Sequence, residues 1–591
     1  MRILAYLLFC LFSLIGFVFL ELNKNTVLGW ILWLLVCGLC LYFHKSYFSL
    51  SWIKRVFCWI LLPVCFGIVV MVSWPPVRNV KAVNVKDPQY TDIITVSQGQ
   101  LQGVFNKDHT VEVYAGIPYA KPPVGDLRWK EPQDAESWQG VLQADVFAPM
   151  AMQPVNLPIY SSLAQIIGYH DYHISLDDNY REPVSEDCLY LNIWKPSTTD
   201  TNLPVLVYIH GGSLQTGQPW YADYSGEGLA KEGVIVVNMG YRLGVFGFLA
   251  EEELQEESIH HTTGNYGLLD QIKALEWVQE NIASFGGDPD NVTLAGESAG
   301  AACVSALCTS PLAKGLFQRA IGESSSVASV QPPHSFRLLE DALSSGKDLL
   351  KKYNCSSMED LRKIDAKDLV DEAYTQHHIT IDGYVLEELP YESYVKGNCN
   401  EKQLLHGYNL KESGPFLLFD KTTLKNYEDK IQRYFGEYTD EVLKLYPAQS
   451  DEEAAAYWAD IYSVVYFHYS HYCWNRMANL NAIPVYEYIF SKDNGRLGCW
   501  HSGEEVYCYG NIPDDSRLYD DTDRKLSSIM TKYWANFCKY GNPNGSDLPE
   551  WKANDNNMQL IEFQANAEMS EERYIALYEI LDQIQGWNIG K

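Results

Sequence analysis

Two hydrophobic patterns divide the chain. Between residues 3 and 72 the apolar positions form unbroken runs, Ile3–Leu20, Val27–Phe43 and Val56–Val72. The short breaks between them carry Lys24, Lys45, Lys54 and Arg55. Each run has 17 or 18 uncharged residues, close to the ~20 that cross a bilayer as a helix. None is amphipathic, as a buried core helix of a soluble domain would be. A single cleaved leader would show one run and a small-residue cleavage site. The pattern therefore predicts three transmembrane helices, over 3–20, 27–43 and 56–72, and a multi-pass anchor over 1–75. Positive charges flanking the runs tie at four on each side, and the α-amino group tips the balance towards an extracytoplasmic large domain.

Residues 76–94, with Trp74-Pro75-Pro76 at their start, read as a linker. From about Thr95 the apolar runs shorten and alternate with turn signals. Val111–Tyr114, Leu189–Trp194, Val205–Ile209, Val234–Asn238, Val292–Ala295 and Pro484–Phe490 read as strands. Gly116–Gly125 is too rich in proline for helix or central strand. Asn265–Ser284 repeats Leu268, Leu269, Ile272, Leu275, Val278 and Ile282 on one helical side. Residues 335–470 read as mostly helical, and Asp523–Tyr540 as a late amphipathic helix ended by Asn542-Pro543-Asn544-Gly545. Strands alternating with helices predict an α/β domain over 95–591, a mostly parallel central sheet with helices on both faces.

Charge separates the same two parts. The 591 residues carry a formal net charge of −30, yet residues 1–88 hold eight Lys/Arg and two Asp/Glu. The acidic remainder excludes nucleic acid as a partner, since phosphates need Lys and Arg. Five of the 14 cysteines (10, 37, 40, 58 and 65) lie in or at the apolar runs. The other nine show no C-x-x-C pair and no zinc spacing, so they read as free buried thiols, with no metal and no cofactor expected. His468, His471 and Cys473 have helical spacing and read as helix packing rather than as metal ligands.

The chemistry is concentrated in Phe285–Gly300, FGGDPDNVTLAGESAG. A short β-prone run is followed by Gly296-Glu297-Ser298-Ala299-Gly300, the G-x-S-x-G form of a nucleophile elbow. A serine hydroxyl needs a base, a group to orient that base, and donors for an oxyanion. Upstream, the strand Val205–Ile209 leads straight into His210-Gly211-Gly212-Ser213, small residues whose N–H groups can turn to one point. Gly212, Ser213 and Ala299 are the expected oxyanion donors.

From about Thr95 to its end the chain resembles the type-B carboxylesterases, the cholinesterase-like branch of the α/β-hydrolases. The motifs are FGGDPDNVTLAGESAG, Glu186–Trp194, GIPYAKPPVGDLRW (116–129), NYGLLDQIKALEWVQENIASFGGDP (265–289) and YWANFCKYGNPN (533–544). The resemblance implies an α/β-hydrolase fold with Ser298 as nucleophile. It implies Glu412 as the acid, in Gly407-Tyr408-Asn409-Leu410-Lys411-Glu412, and His501 as the base, in a loop flanked by Gly498 and Gly503. It implies structural pairs Arg128–Glu186 and Arg242–Asp270, and Ser324 as a second partner of the catalytic group or a cap.

Departures from the family pattern stand at three places. Ser213 replaces the last glycine of H-G-G-G, Ser502 follows the histidine where glycine or alanine is usual, and Ala151 stands where animal relatives pair a cysteine with Cys188. The segment from Ala151 to Cys188 has Tyr160, Tyr169, Tyr172 and Tyr180 but no tryptophan, which argues against the cholinesterase route to choline. In these respects the chain is similar to the bacterial carboxylesterases. The expectation is a membrane-anchored serine carboxylesterase acting on a small-molecule ester. The alternatives are a cholinesterase-like adhesion protein, or a lipase working on membrane lipids.

Overall fold

The computed structural model describes residues 2–155, 157–166, 180–370, 377–493, 498–513, 518–555 and 559–587. Two compact units divide them: residues 1–80 with 155–183, and residues 81–154 with 184–591. Tyr169 and Tyr172 lie outside the described residues.

The first unit is built on apolar helices, α1 (Arg2–Leu22), α2 (Val27–Tyr42), α3 (His44–Ser49) and α4 (Trp52–Val72). Leu20, Trp33, Leu62 and Val69 form its small core, and the Trp33 ring packs edge-on against Phe66 at 4.8 Å. Gly16 is needed there, because a Cβ on it would meet the Trp33 indole at 2.5 Å. Most other large apolar side chains of the unit stay exposed, among them Ile3, Leu7, Leu34, Ile53 and Met71. α1 and α4, at 21 residues each, are long and apolar enough to cross a membrane. α2 has 16 residues, about 24 Å at 1.5 Å per residue, and falls short of a hydrocarbon core of about 30 Å. The three-span expectation is thus corrected to two helices of spanning length and one shorter apolar helix. α2 ends one residue short of its expected run, and α1 and α4 extend beyond theirs. After α2 the run breaks at Phe43, α3 folds as a separate short helix, and α4 starts early enough to include Lys54 and Arg55.

The second unit is organised on one eleven-stranded sheet. Its strands in chain order are β1 (Val104–Phe105), β2 (Val111–Pro118), β3 (Tyr190–Pro196), β4 (Leu203–Ile209), β5 (Ile235–Met239), β6 (Gly287–Glu297), β7 (Arg319–Glu323), β8 (Gln403–Asn409), β9 (Val485–Phe490), β10 (Gln559–Phe563) and β11 (Ala567–Glu571). The spatial order is β11-β10-β9-β8-β7-β6-β4-β5-β3-β2-β1. The seven strands from β10 to β5 are parallel to one another. The pairs beyond them at both edges are antiparallel. The sheet is therefore large and mixed rather than mostly parallel throughout: only its centre, covered by helices on both faces, has the both-sides burial that parallel strands need.

The central strands are buried along nearly their whole length, as their continuous Val/Ile/Leu runs require. β8 lies in the region expected to be mostly helical. Its sequence, QLLHGYN, carries no strand signature, and it is a strand because it lies between β7 and β9. Helix α5 (Tyr266–Asn281) buries Leu268, Leu269, Ile272, Leu275 and Val278, and α6 (Ala299–Leu307) is buried throughout. Two arginines are held in forked pairs: Arg128 with Glu186 at 2.5 and 2.7 Å, and Arg242 with Asp270 at 2.8 and 2.7 Å. Their near-complete removal from water makes each pair costly to break singly. Ala151 and Cys188 line one small cavity, and all fourteen cysteines are free thiols.

Candidate active site

The carboxyl ends of the parallel strands supply the site, one residue group per connection. β6 ends at Glu297, Ser298 makes the turn, and α6 starts at Ala299. Ser298 has φ 53° and ψ −125°, a conformation that costs a non-glycine residue of order 1–3 kcal/mol. Its neighbours explain how the turn is made. A Cβ on Gly300 would sit 2.0 Å from the Ile209 carbonyl oxygen, and one on Gly296 would meet the same oxygen at 2.8 Å. Strand and helix approach that closely only because both positions lack a side chain. The Ser298 N–H donates to the Glu323 carbonyl of β7 at 2.8 Å, which fixes the turn to the sheet.

Glu412 follows β8. Leu410 N–H donates to Phe490 O (2.9 Å) and Lys411 N–H to Cys499 O (3.0 Å), so the segment stays aligned past the strand's end. The Glu412 side chain is fully buried. Its Oε1 accepts the Asn409 N–H at 2.8 Å, and its Oε2 lies 2.7 Å from His501 Nδ1. The other ring nitrogen, Nε2, is 2.8 Å from Ser298 Oγ. A carboxylate accepting at both oxygens requires a proton on Nδ1, so in the neutral ring it is the Nε2 lone pair that faces the serine hydroxyl. Ser298, His501 and Glu412, 203 and 89 positions apart from the histidine in sequence, thus meet in one hydrogen-bonded row.

A second carboxylate, Glu297, has its Oε1 3.4 Å from His501 Nε2 and accepts the Ser502 hydroxyl at 2.6 Å. Ser502, a departure from the family pattern, therefore has a definite partner. Glu504 accepts from Asn409 Nδ2, from the Ser324 hydroxyl at 3.2 Å and from the Tyr488 hydroxyl at 3.2 Å. Ser324 serves Glu504 rather than Glu412. Burial alone would lower the His501 pKa, but Glu297 and Glu412 outweigh it, and with Glu504 they raise it to about 9. Glu504 itself is pushed up to about 8, by burial first and then by its carboxylate neighbours.

The loop after β4 turns beside the serine. A Cβ on Gly211 would meet Ser298 Cβ at 3.0 Å. Tyr241 OH donates to His210 O at 2.8 Å and its ring stacks on the imidazole, which burial holds neutral with a pKa near 4. Gly212 has φ 105°, and its carbonyl accepts the N–H groups of Gln215 (3.0 Å) and Thr216 (2.9 Å). Among the described residues no protein acceptor takes the N–H of Gly212 or Ser213. Ala299 is the first residue of its helix, so its N–H has no partner one turn back. Ser213 has φ 57°, where the family's glycine would be unstrained, and its side chain is exposed.

All six residues named from the sequence thus lie at this end of the sheet. Glu297, Ser502, Glu504 and the rings of Phe416 and Phe467 around His501 were not named as site residues. Glu297 and Glu504 stood in the quoted motifs themselves, inside GESAG and three positions after His501. Of the remaining histidines, His406 and His471 face each other across the core, Nδ1 to Nδ1 at 2.9 Å, and His468 Nε2 meets Asn409 O at 3.0 Å.

Known proteins share this architecture. A family model described as the carboxylesterase family matches residues 90–578. The chain is 32% identical over 496 residues to the fumonisin B1 esterase of Sphingopyxis macrogoltabida, covering 79% of this chain and 85% of that one. It is 33% identical over 488 residues to the para-nitrobenzyl esterase of Bacillus subtilis, covering 78% and 92%. The crystal structure of carboxylesterase EST55 from Geobacillus stearothermophilus superposes with a TM-score of 0.71 at 30% identity, covering 83% of this chain and all of that one.

Proposed function

The chain belongs to the carboxylesterase family and is a carboxylic ester hydrolase, and from that premise we propose that it works through an acyl-enzyme on Ser298, with His501 as base and Glu412 as the acid that orients it. The observation that carries the reading is the row Ser298 Oγ–His501–Glu412, at 2.8 and 2.7 Å, with the serine held on a left-handed turn.

Nε2 of His501 takes the hydroxyl proton as Oγ bonds to the ester carbonyl carbon. The carbonyl π pair moves onto oxygen, and the N–H groups of Gly212, Ser213 and Ala299 receive that charge. Loss of one such donor costs ~3–4 kcal/mol of transition-state stabilisation. The imidazolium returns its proton to the departing alkoxide, the carbon–oxygen bond breaks and the alcohol leaves. Water then attacks the acyl carbon, His501 again taking the proton, and the carboxylic acid and free Ser298 are regenerated. Glu412 holds Nδ1–H throughout and, with Glu297, stabilises the imidazolium.

We further propose that α1 and α4, with the shorter α2, tether an extracytoplasmic esterase domain (95–591) to a membrane through the linker 76–94. Covalent labelling by an organophosphate tests the catalytic reading. The wild-type chain takes one label and loses ester turnover, and Ser298→Ala takes none. Equal labelling of the two, or unlabelled wild type, refutes it.

A further inference from the structure

The first unit holds a cavity that anchoring alone does not call for. It measures about 270 Å³ and is bounded by the start of α1, the end of α2, α3 and the first part of α4. Tyr6, Phe9, Leu41, Phe48, Cys58 and Trp59 are among its lining residues. Packed interiors leave few voids larger than a water molecule. This one approaches the ~300 Å³ at which small-molecule pockets begin.

The break after α2 makes it. α2 packs on both α1 and α4, but it stops at Tyr42, and the chain turns into α3 instead of carrying the helix on. Rings then meet around the gap: Tyr6 lies 5.6 Å from Phe48 and 6.2 Å from His44. Polar groups at the wall are paired with one another or with backbone. Trp59 Nε1 donates to Tyr47 OH at 2.9 Å, and His44 Nδ1–H donates to Leu41 O at 2.7 Å. The wall is therefore mostly hydrocarbon and ring, which suits an acyl chain and not a polar ligand.

Phe48 joins this cavity to charge. Arg2 of α1 places its guanidinium over the Phe48 ring, 5.5 Å from the centre, and Arg55 of α4 donates through Nη2 to Phe48 O at 2.6 Å. Arg55 Nε is closed off from solvent and has no acceptor among the described residues. A buried donor without an acceptor is costly, and an anionic oxygen is the partner it lacks. Lys45 of α3 and Lys54, in the first turn of α4, stand exposed at the same end. The four helices contain one carboxylate, Glu21, and it lies at the far end of α1. Cations gathered at the rim of an apolar cavity match the two halves of a lipid, and basic pockets between membrane helices hold anionic headgroups in this way. A soluble anion would leave the cavity unused, and a neutral lipid would leave the arginines unused.

We propose that this cavity binds one membrane phospholipid with an anionic headgroup, its phosphate on Arg2 and Arg55 and one acyl chain between α1, α3 and α4. The site rests on the reading of α1 and α4 as membrane-spanning helices and is independent of the chemistry at Ser298. Phosphatidylcholine carries the same phosphate but adds a cation, which the arginines and lysines oppose.

The test uses the full chain in a non-ionic detergent, with equal amounts of phosphatidylglycerol and phosphatidylcholine bearing the same acyl chains. After washing, the lipid kept per chain is counted by mass spectrometry of the extract. The wild type keeps one phosphatidylglycerol, preferred over phosphatidylcholine by about 5-fold or more. Arg55→Gln lowers the preference about 5-fold, and Arg55→Lys retains most of it. Cys58→Phe fills the cavity and loses the lipid with both arginines in place. Equal retention of the two lipids by the wild type overturns the site. So does a loss in Lys54→Gln as large as in Arg55→Gln, which makes the charge diffuse, or full retention in Cys58→Phe, which places the lipid elsewhere. A chain released from the membrane by alkaline carbonate removes the anchor and the site with it. A chain that stays in the membrane and shows no preference removes the site alone.

Discussion

Glu297→Gln separates the two carboxylates that face His501. Glu412 touches Nδ1, whereas Glu297 stands 3.4 Å from Nε2, the nitrogen that must be free of its proton to act as base. Glutamine keeps an acceptor for the Ser502 hydroxyl, bonded at 2.6 Å, so the change removes charge and little geometry. At 3.4 Å and an effective dielectric constant of about 20, Coulomb's law gives roughly 5 kcal/mol as an upper bound. Observed shifts from a close opposite charge run about 1–3 pKa units.

The sign follows from the charges. Glu297 favours the imidazolium and helps raise the His501 pKa to about 9. Without it the pKa falls, and more of the histidine is in the active, neutral form at pH 6–7. The assay is kcat/KM against pH for a small neutral ester, which reports the free enzyme. The acid limb moves about 1–3 units towards lower pH, while the plateau at high pH falls, because the same carboxylate no longer stabilises the imidazolium formed in the transition state. The two profiles therefore cross. A limb that stays in place, or moves to higher pH, refutes the electrostatic role of Glu297.

Two further outcomes test the rest of the site and the anchor. Gly212→Ala places a Cβ 2.2 Å from the Thr216 carbonyl oxygen and forces the oxyanion loop to shift. kcat falls about 10²–10³-fold with Ser298 still present, and a near-normal kcat removes Gly212 from the oxyanion assignment. If α1 and α4 anchor the chain as proposed, the full chain stays with the membrane fraction after an alkaline carbonate wash and enters solution only with detergent. Release by the wash removes the anchor.

Legibility in the sequence followed the range of the interaction concerned. The elbow was readable because its cause is local: Gly296 and Gly300 are the positions where a Cβ meets the neighbouring strand. The Val/Ile/Leu runs of β4 and β5 were readable because both faces of a central strand are buried. β8 was not, since QLLHGYN is a strand only through its neighbours β7 and β9. The partners of Ser502 and Ser324, 205 and 180 positions away, have no local signature either. In the first unit, hydropathy located the apolar runs, but helix ends depend on where the chain turns: α1 and α4 extend beyond their runs to 21 residues each, while α2 stops one residue short of its own.

Net charge was the least informative number about the site. Counted along the sequence, an acidic domain reads as a solvated surface. Five of its carboxylates, Glu297, Glu323, Glu412, Glu504 and Glu505, are instead buried on the elements that surround one histidine. Five ionised groups there would repel strongly at low dielectric. Burial raises the pKa of Glu297, Glu323, Glu504 and Glu505, which limits the charge the cluster carries. Glu323 is also held by Trp534 Nε1 at 2.7 Å, and Glu505 by the Tyr208 hydroxyl. The His501 pKa is raised most by the two carboxylates in contact with its nitrogens, Glu297 and Glu412. One carboxylate faces each nitrogen of the imidazole. That arrangement favours forming the imidazolium and gives nothing to an anionic substrate arm.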